Sequence, residues 1–150
     1  MNPPDGTAPS EAGPLSLSLE FDLRHPPEKV WRALTDPALL AAWLLPVAGF
    51  RPEAGTDFTF RTDPHPGWDG TVRCRVLEVE APRRLRCSWV VGDGEIDTVV
   101  TFTLERTASG TRLALVQSGF RPDQGQALGG ARYGWTMMGG KLVDLLGRIP

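Results

Sequence analysis

Three carboxylates alternate at Asp93, Glu95 and Asp97, an arrangement that can hold a cation or divide general-acid and general-base work. Alternation about Ile96 puts Glu95 and Asp97 on the outer face of a strand, so the group reads as a solvated hairpin. Arg83, Arg84 and Arg86 form a basic cluster that could hold an anion, and their place at a turn and strand edge reads as solvated. His65 sits in the loop Asp63-Pro64-His65-Pro66-Gly67 and reads as a surface histidine. There is no Gly-x-Ser-x-Gly elbow. Gly139-Gly140-Lys141-Leu142 lacks the Ser or Thr and the upstream glycine of a phosphate loop. No histidine pair has metal-ligand spacing, and two cysteines, Cys74 and Cys87, are too few for a disulfide framework or a zinc site. Both are expected to be free, buried thiols facing one interior from paired strands, opposite each other or one pair out of step. The residues therefore offer no catalytic set, no metal site and no cofactor site.

What remains is an inward-facing set contributed by separate elements: Trp43, Phe58, Phe60, Cys74, Trp89, Phe102, Leu115, Gln117, Trp135 and Met138. Aromatic rings and adaptable methionine suit a flat apolar ligand. The same residues can equally pack as an ordinary core. Gln117 is the informative member, because a buried amide needs hydrogen-bond partners that an apolar core seldom supplies.

The elements that position this set are legible from periodicity. Leu15, Leu17, Leu19, Phe21 and Leu23 alternate with polar residues, which predicts a strand buried on one face. His25-Pro26-Pro27 ends it and opens a helix carrying Val30, Trp31 and Leu34 on one side, closed by Asp36-Pro37. A second short helix runs from Pro37 to about Leu44. Phe50 is expected to begin a short strand. Further strands carry Phe58 and Phe60, then residues 71–80 with a phase break that predicts a bulge near Val76, then Leu85 to Val91, Ile96 to Glu105, and Leu113 to Gln117. Gly92-Asp93-Gly94 is a hairpin turn. Asp123 is the expected cap of a last helix with the stripe Leu128, Ala131, Trp135, Met138, Leu142 and Leu145. Glycines crowd its first half, so helix is expected chiefly from Ala131 to Leu146. Residues 122–134 should be the loosest part of the folded region and a gate to any cavity. The strands follow one another through short turns, which predicts an antiparallel meander covered by the long helix.

Composition sets the outer limits. The chain has 150 residues, 41% hydrophobic and 23% charged, with a net charge of -2. That is globular composition for one domain over residues 15–150, preceded by a flexible tail over residues 1–14 whose removal should change stability by less than about 1 kcal/mol on denaturant titration. The slight acidic excess argues against a nucleic-acid partner. The longest apolar run, Ala38 to Leu45, is too short to insert in a membrane, and the start lacks a signal-peptide pattern, so a cytoplasmic location is expected. Lys29 and Lys141 are the only lysines, and with abundant Ala, Gly and Pro this points to a GC-rich bacterial coding sequence.

The run from Pro26 through Val30-Trp31 to Asp36-Pro37 resembles the opening of the START-like, helix-grip (SRPBCC) superfamily. Within it, the chain is most similar to the bacterial branch of the activator of Hsp ATPase homologue family. Trp43, Gly70-Thr71-Val72 through Leu77-Glu78-Val79-Glu80-Ala81-Pro82-Arg83-Arg84-Leu85, the strand from Gly110 to Leu115, and Gly134-Trp135 complete the ordered pattern. Gln117 stands where many members have histidine before Ser-Gly, so a role depending on that histidine is not carried over. The resemblance implies an α+β helix-grip fold, a curved antiparallel sheet of six to seven strands wrapped round the C-terminal helix with a cavity between. It implies binding of a small hydrophobic or aromatic molecule; the absence of an inward acid–base pair favours a non-catalytic carrier or sensor, and a monomer or homodimer is expected. The alternatives are an enzyme of the polyketide cyclase/hydrolase type and a co-chaperone-like interaction module.

Overall fold

The computed structural model describes residues 15–150; the expectation for residues 1–14 lies outside them. Seven strands and three helices follow one another: β1 (Leu15–Leu23), α1 (Pro27–Thr35), α2 (Pro37–Trp43), β2 (Val47–Ala48), β3 (Asp57–Arg61), β4 (Thr71–Glu80), β5 (Arg84–Val91), β6 (Ile96–Thr107), β7 (Gly110–Phe120) and α3 (Gly125–Arg148). All pairings are antiparallel, in the order β1-β7-β6-β5-β4-β3-β2. β2 to β7 form the meander that short turns dictate, and β1 returns to lie beside β7. The helix-grip expectation holds: a seven-stranded antiparallel sheet, two short helices after the first strand and a long C-terminal helix.

Local chemistry explains the boundaries. Pro27 stands in the first turn of α1, where its missing N–H costs nothing. The Asp36 carboxylate accepts from the Ala38 N–H at 2.9 Å and caps α2. Trp43 Nε1 donates to the Ala33 carbonyl at 2.9 Å, fastening α2 to α1. The expected irregularity in β4 is a bulge between Val76 and Glu78, which returns Val79 to the inner side.

Two expectations are corrected. Phe50 does not begin a strand. The strand is Val47–Ala48, paired with Phe60 and Thr59, and Gly49 at φ 83° ends it. Phe50 is then free to turn inward, its ring 4.9 Å from Phe58. Asp123 does not cap α3. Its carboxylate is taken by Arg121 at 3.2 Å, and Gln124 holds the cap position without a side-chain cap bond. α3 is nevertheless continuous from Gly125, glycines included. Its second half buries Trp135, Gly139, Leu142, Leu145 and Leu146, whereas no residue from 125 to 134 is buried. Gly139 has a definite reason: a Cβ there would lie 2.3 Å from Phe21 Cε1, so only glycine lets α3 press onto β1.

Candidate functional site

The inward rows of β3, β5 and β6 leave a small apolar cavity of about 20 Å³. Its sheet wall is Phe58, Phe60, Leu85, Cys87, Trp89, Val100 and Phe102, and its cover is Leu34, Leu40, Leu44 and Phe50. All these residues are buried except Trp89, which is half-buried. No residue of α3 lines the cavity. Trp135 stands behind its wall, with its ring 5.2 Å from Trp89 and 5.9 Å from Phe102.

Of the ten inward residues expected from sequence, the structure brings Phe58, Phe60, Trp89 and Phe102 to the cavity. Trp43 packs edge-on behind Phe102 at 6.5 Å. Cys74 and Leu115 are buried in neighbouring inward rows, and Met138 is half-buried on α3. Gln117 and Trp135 form a polar trio with Thr98 instead. Trp135 Nε1 donates to Gln117 Oε1 at 2.8 Å, Gln117 Nε2 donates to Thr98 Oγ1 at 2.9 Å, and Thr98 Oγ1 donates to the Trp89 carbonyl at 2.9 Å. The buried amide thus has the partners it needs, and they tie β5, β6, β7 and α3 together.

Leu34, Leu40, Leu44, Phe50, Leu85, Cys87 and Val100 also line the cavity but were not in the expected set. Leu40 and Cys87 carried a signal, being legible as apolar or inward positions. Phe50 carried none, because its direction follows from the turn at Gly49. Cys87 pairs with Val76 and Cys74 with Trp89, so the two thiols share one face, one pair out of step. Both are free.

Burial pushes both thiols up from their ordinary 9.0, Cys87 to about 12 and Cys74 further, with Cys87 beside it adding to the shift. Neither is a thiolate nucleophile at neutral pH. A folded pKa above the unfolded one means that unfolding releases a proton once pH passes about 9. Stability should therefore fall between pH 9 and 12, by up to about 1.4 kcal/mol per pH unit for each thiol. Denaturant midpoints at pH 8 and pH 10 check this. The fall should be shallower in Cys87→Ala, and an unchanged slope would contradict the assignment.

The polar clusters lie at the surface. Glu95, Asp97 and His65 are exposed, with His65 stacked 5.9 Å from Trp68. Arg83 pairs with Glu80, Arg84 and Arg86 approach Glu78 at 3.7 and 3.6 Å, and Arg106 meets Glu28 at 2.7 Å. An open groove of about 650 Å³ is lined by Arg83, Arg84 and Arg106 and by Glu28, Glu80 and Glu105. Its three arginines face three glutamates, so it carries no net charge to attract an ion. Among the described residues no three His, Cys, Asp or Glu side chains are grouped to hold a metal, and no helix is long and apolar enough to cross a membrane.

The fold is shared with known proteins to differing degrees of similarity. Protein MLL2253 of Mesorhizobium loti is 42% identical, with a TM-score of 0.83, over 91% of this chain and 99% of its own. CalU16 of Micromonospora echinospora is 27% identical, with a TM-score of 0.70, over 87% of this chain and 74% of its own. DynU16, a protein of the dynemicin biosynthetic locus, is 25% identical, with a TM-score of 0.72, over 87% of this chain and 46% of its own. No curated protein sequence matches the chain. Residues 24–147 match the sequence profile described as Activator of Hsp90 ATPase homolog 1-like protein, and the chain belongs to that family.

Proposed function

We propose that the protein binds a small apolar or aromatic molecule in this cavity without chemically changing it, as a carrier or sensor. The observation that supports the reading is the composition of the cavity wall. Aliphatic and aromatic side chains and one un-ionised thiol line it, and among the described residues no acid–base pair faces it. About 20 Å³ is the closed volume. A benzene-sized guest occupies a cavity of about 150 Å³, so a ligand enters by moving side chains apart, and its affinity is reduced by the work of opening.

The second reading is an enzyme of the polyketide cyclase type. Its support is the similarity to a protein of the dynemicin biosynthetic locus; the absence of an acid–base pair on the cavity wall weighs against it. Two-dimensional NMR with indole as probe tests the binding reading. The expected shifts cluster on Phe58, Phe60, Leu85, Trp89 and Phe102. Shifts confined to exposed Tyr133 and Met137 on α3 would instead favour an interaction surface.

A further inference from the structure

We propose that the outward face of α3 is a dimer seam, on which a second copy of this chain packs its own α3 in the antiparallel direction. The inference is independent of the cavity. A surface helix normally turns charged and polar residues to water. α3 instead carries Gly130, Tyr133, Met137, Gly140, Asp144 and Gly147 on that side, all of them exposed. Their steps of three and four residues are those of a helix–helix seam. The seam lies opposite the face that buries Trp135, Leu142 and Leu146. Tyr133 and Met137 are 70% and 51% exposed, the two most exposed large apolar side chains among the described residues. A Cβ on Gly130, Gly140 or Gly147 would meet nothing within 4 Å. Packing inside the chain therefore does not require glycine there, although each glycine costs about 1 kcal/mol against alanine in a helix. Close approach of another helix is a use for it.

A two-fold dimer uses the same patch twice, so the patch must fit itself. This one does so in the antiparallel direction. About a two-fold axis between residues 138 and 139, Met137 of each copy lies over Gly140 of the other, and Gly130 stands opposite Gly147. Each knob then meets a hole. The same axis sets Tyr133 opposite Asp144, which forms no ion pair with a described residue. The Tyr133 hydroxyl donates to the Asp144 carboxylate across the seam. Parallel helices would instead set Asp144 against Asp144 and Met137 against Met137, with like charges facing and no hole filled. α3 has 24 residues and is about 36 Å long. One helix length per copy is a small contact, of the class that dissociates on dilution.

Sedimentation equilibrium of the full chain from about 1 μM to 1 mM spans the range in which such contacts form. The expected mass rises with concentration from 16.3 kDa towards twice that value. Met137→Lys sets two like charges across the axis and should raise the dissociation constant at least tenfold, while denaturant titration shows the variant folded. Tyr133→Phe and Asp144→Ala should each raise it at least threefold, and the double variant no further than the weaker-binding single one, because both remove one bond. Along a single helix the two residues are about 16 Å apart, so this coupling arises only between copies. A monomer at every concentration would overturn the self-pairing and leave the face to a different protein. A dimer that Met137→Lys does not loosen would overturn it too, by placing the contact elsewhere. Effects of Tyr133→Phe and Asp144→Ala that multiply in the double variant would overturn the antiparallel register.

Discussion

Replacing Trp135 with alanine is expected to lower stability by about 3–5 kcal/mol, the range for removing a large buried aromatic side chain. The ring is buried against Trp89 and Phe102, so its loss leaves a void between α3 and the sheet that neither can collapse to fill. Its indole N–H also serves Gln117 Oε1. Without it, a buried amide oxygen loses its partner, which by itself costs about 1–3 kcal/mol. Gln117→Leu separates the two contributions, since it keeps the ring and removes the hydrogen bond. Denaturant titration at constant slope measures both. A loss below about 1.5 kcal/mol for Trp135→Ala would mean that the ring borders open space and is not core.

Adjacent glycines in α3 should respond with opposite signs. Gly139→Ala forces a methyl to within 2.3 Å of the Phe21 ring, and the ring can yield only by leaving its place between β1 and α3. Overpacking of this kind costs about 1–3 kcal/mol, more than the gain of about 1 kcal/mol in helix propensity. At Gly140 nothing lies within 4 Å, so Gly140→Ala should keep that gain of about 1 kcal/mol. Thermal or denaturant melts of the two variants decide the matter. Stabilisation by both would mean that α3 does not press on β1 at this point.

Much of the fold is legible because each strand has a period-two pattern and each turn carries its own chemistry. Leu15 to Leu23 and Ile96 to Thr107 declare their buried faces without help, and the break of phase after Val76 announces a bulge that exists. Phe50 was misread because one backbone angle, at Gly49, decides where its ring goes, and periodicity contains no dihedral information. Asp123 was misread as a cap because Arg121 competes for its carboxylate, a contact two residues away that propensity does not weigh.

The candidate site was legible as a face and not as a cavity. Alternation identifies Phe58, Phe60, Trp89 and Phe102 as inward. It also identifies Cys74 and Leu115, which sit in the same rows a few ångströms away and close-pack. Which inward side chains bound a void depends on sheet curvature and on how α1, α2 and the Gly49 turn are laid across it. Those are tertiary quantities. Gln117 was correctly singled out as needing partners, while their identity, Thr98 and Trp135, required the register Val100 to Gln117 and the position of α3.

On this reading the interior accepts a small apolar molecule. A native mass spectrum of the protein purified without denaturation from its own host tests it most directly. The expected spectrum holds a population heavier than the 16.3 kDa chain by one small molecule, released on unfolding and recovered in organic solvent. The bare chain alone, in a preparation that also gains no mass when equilibrated with an excess of indole, would contradict it.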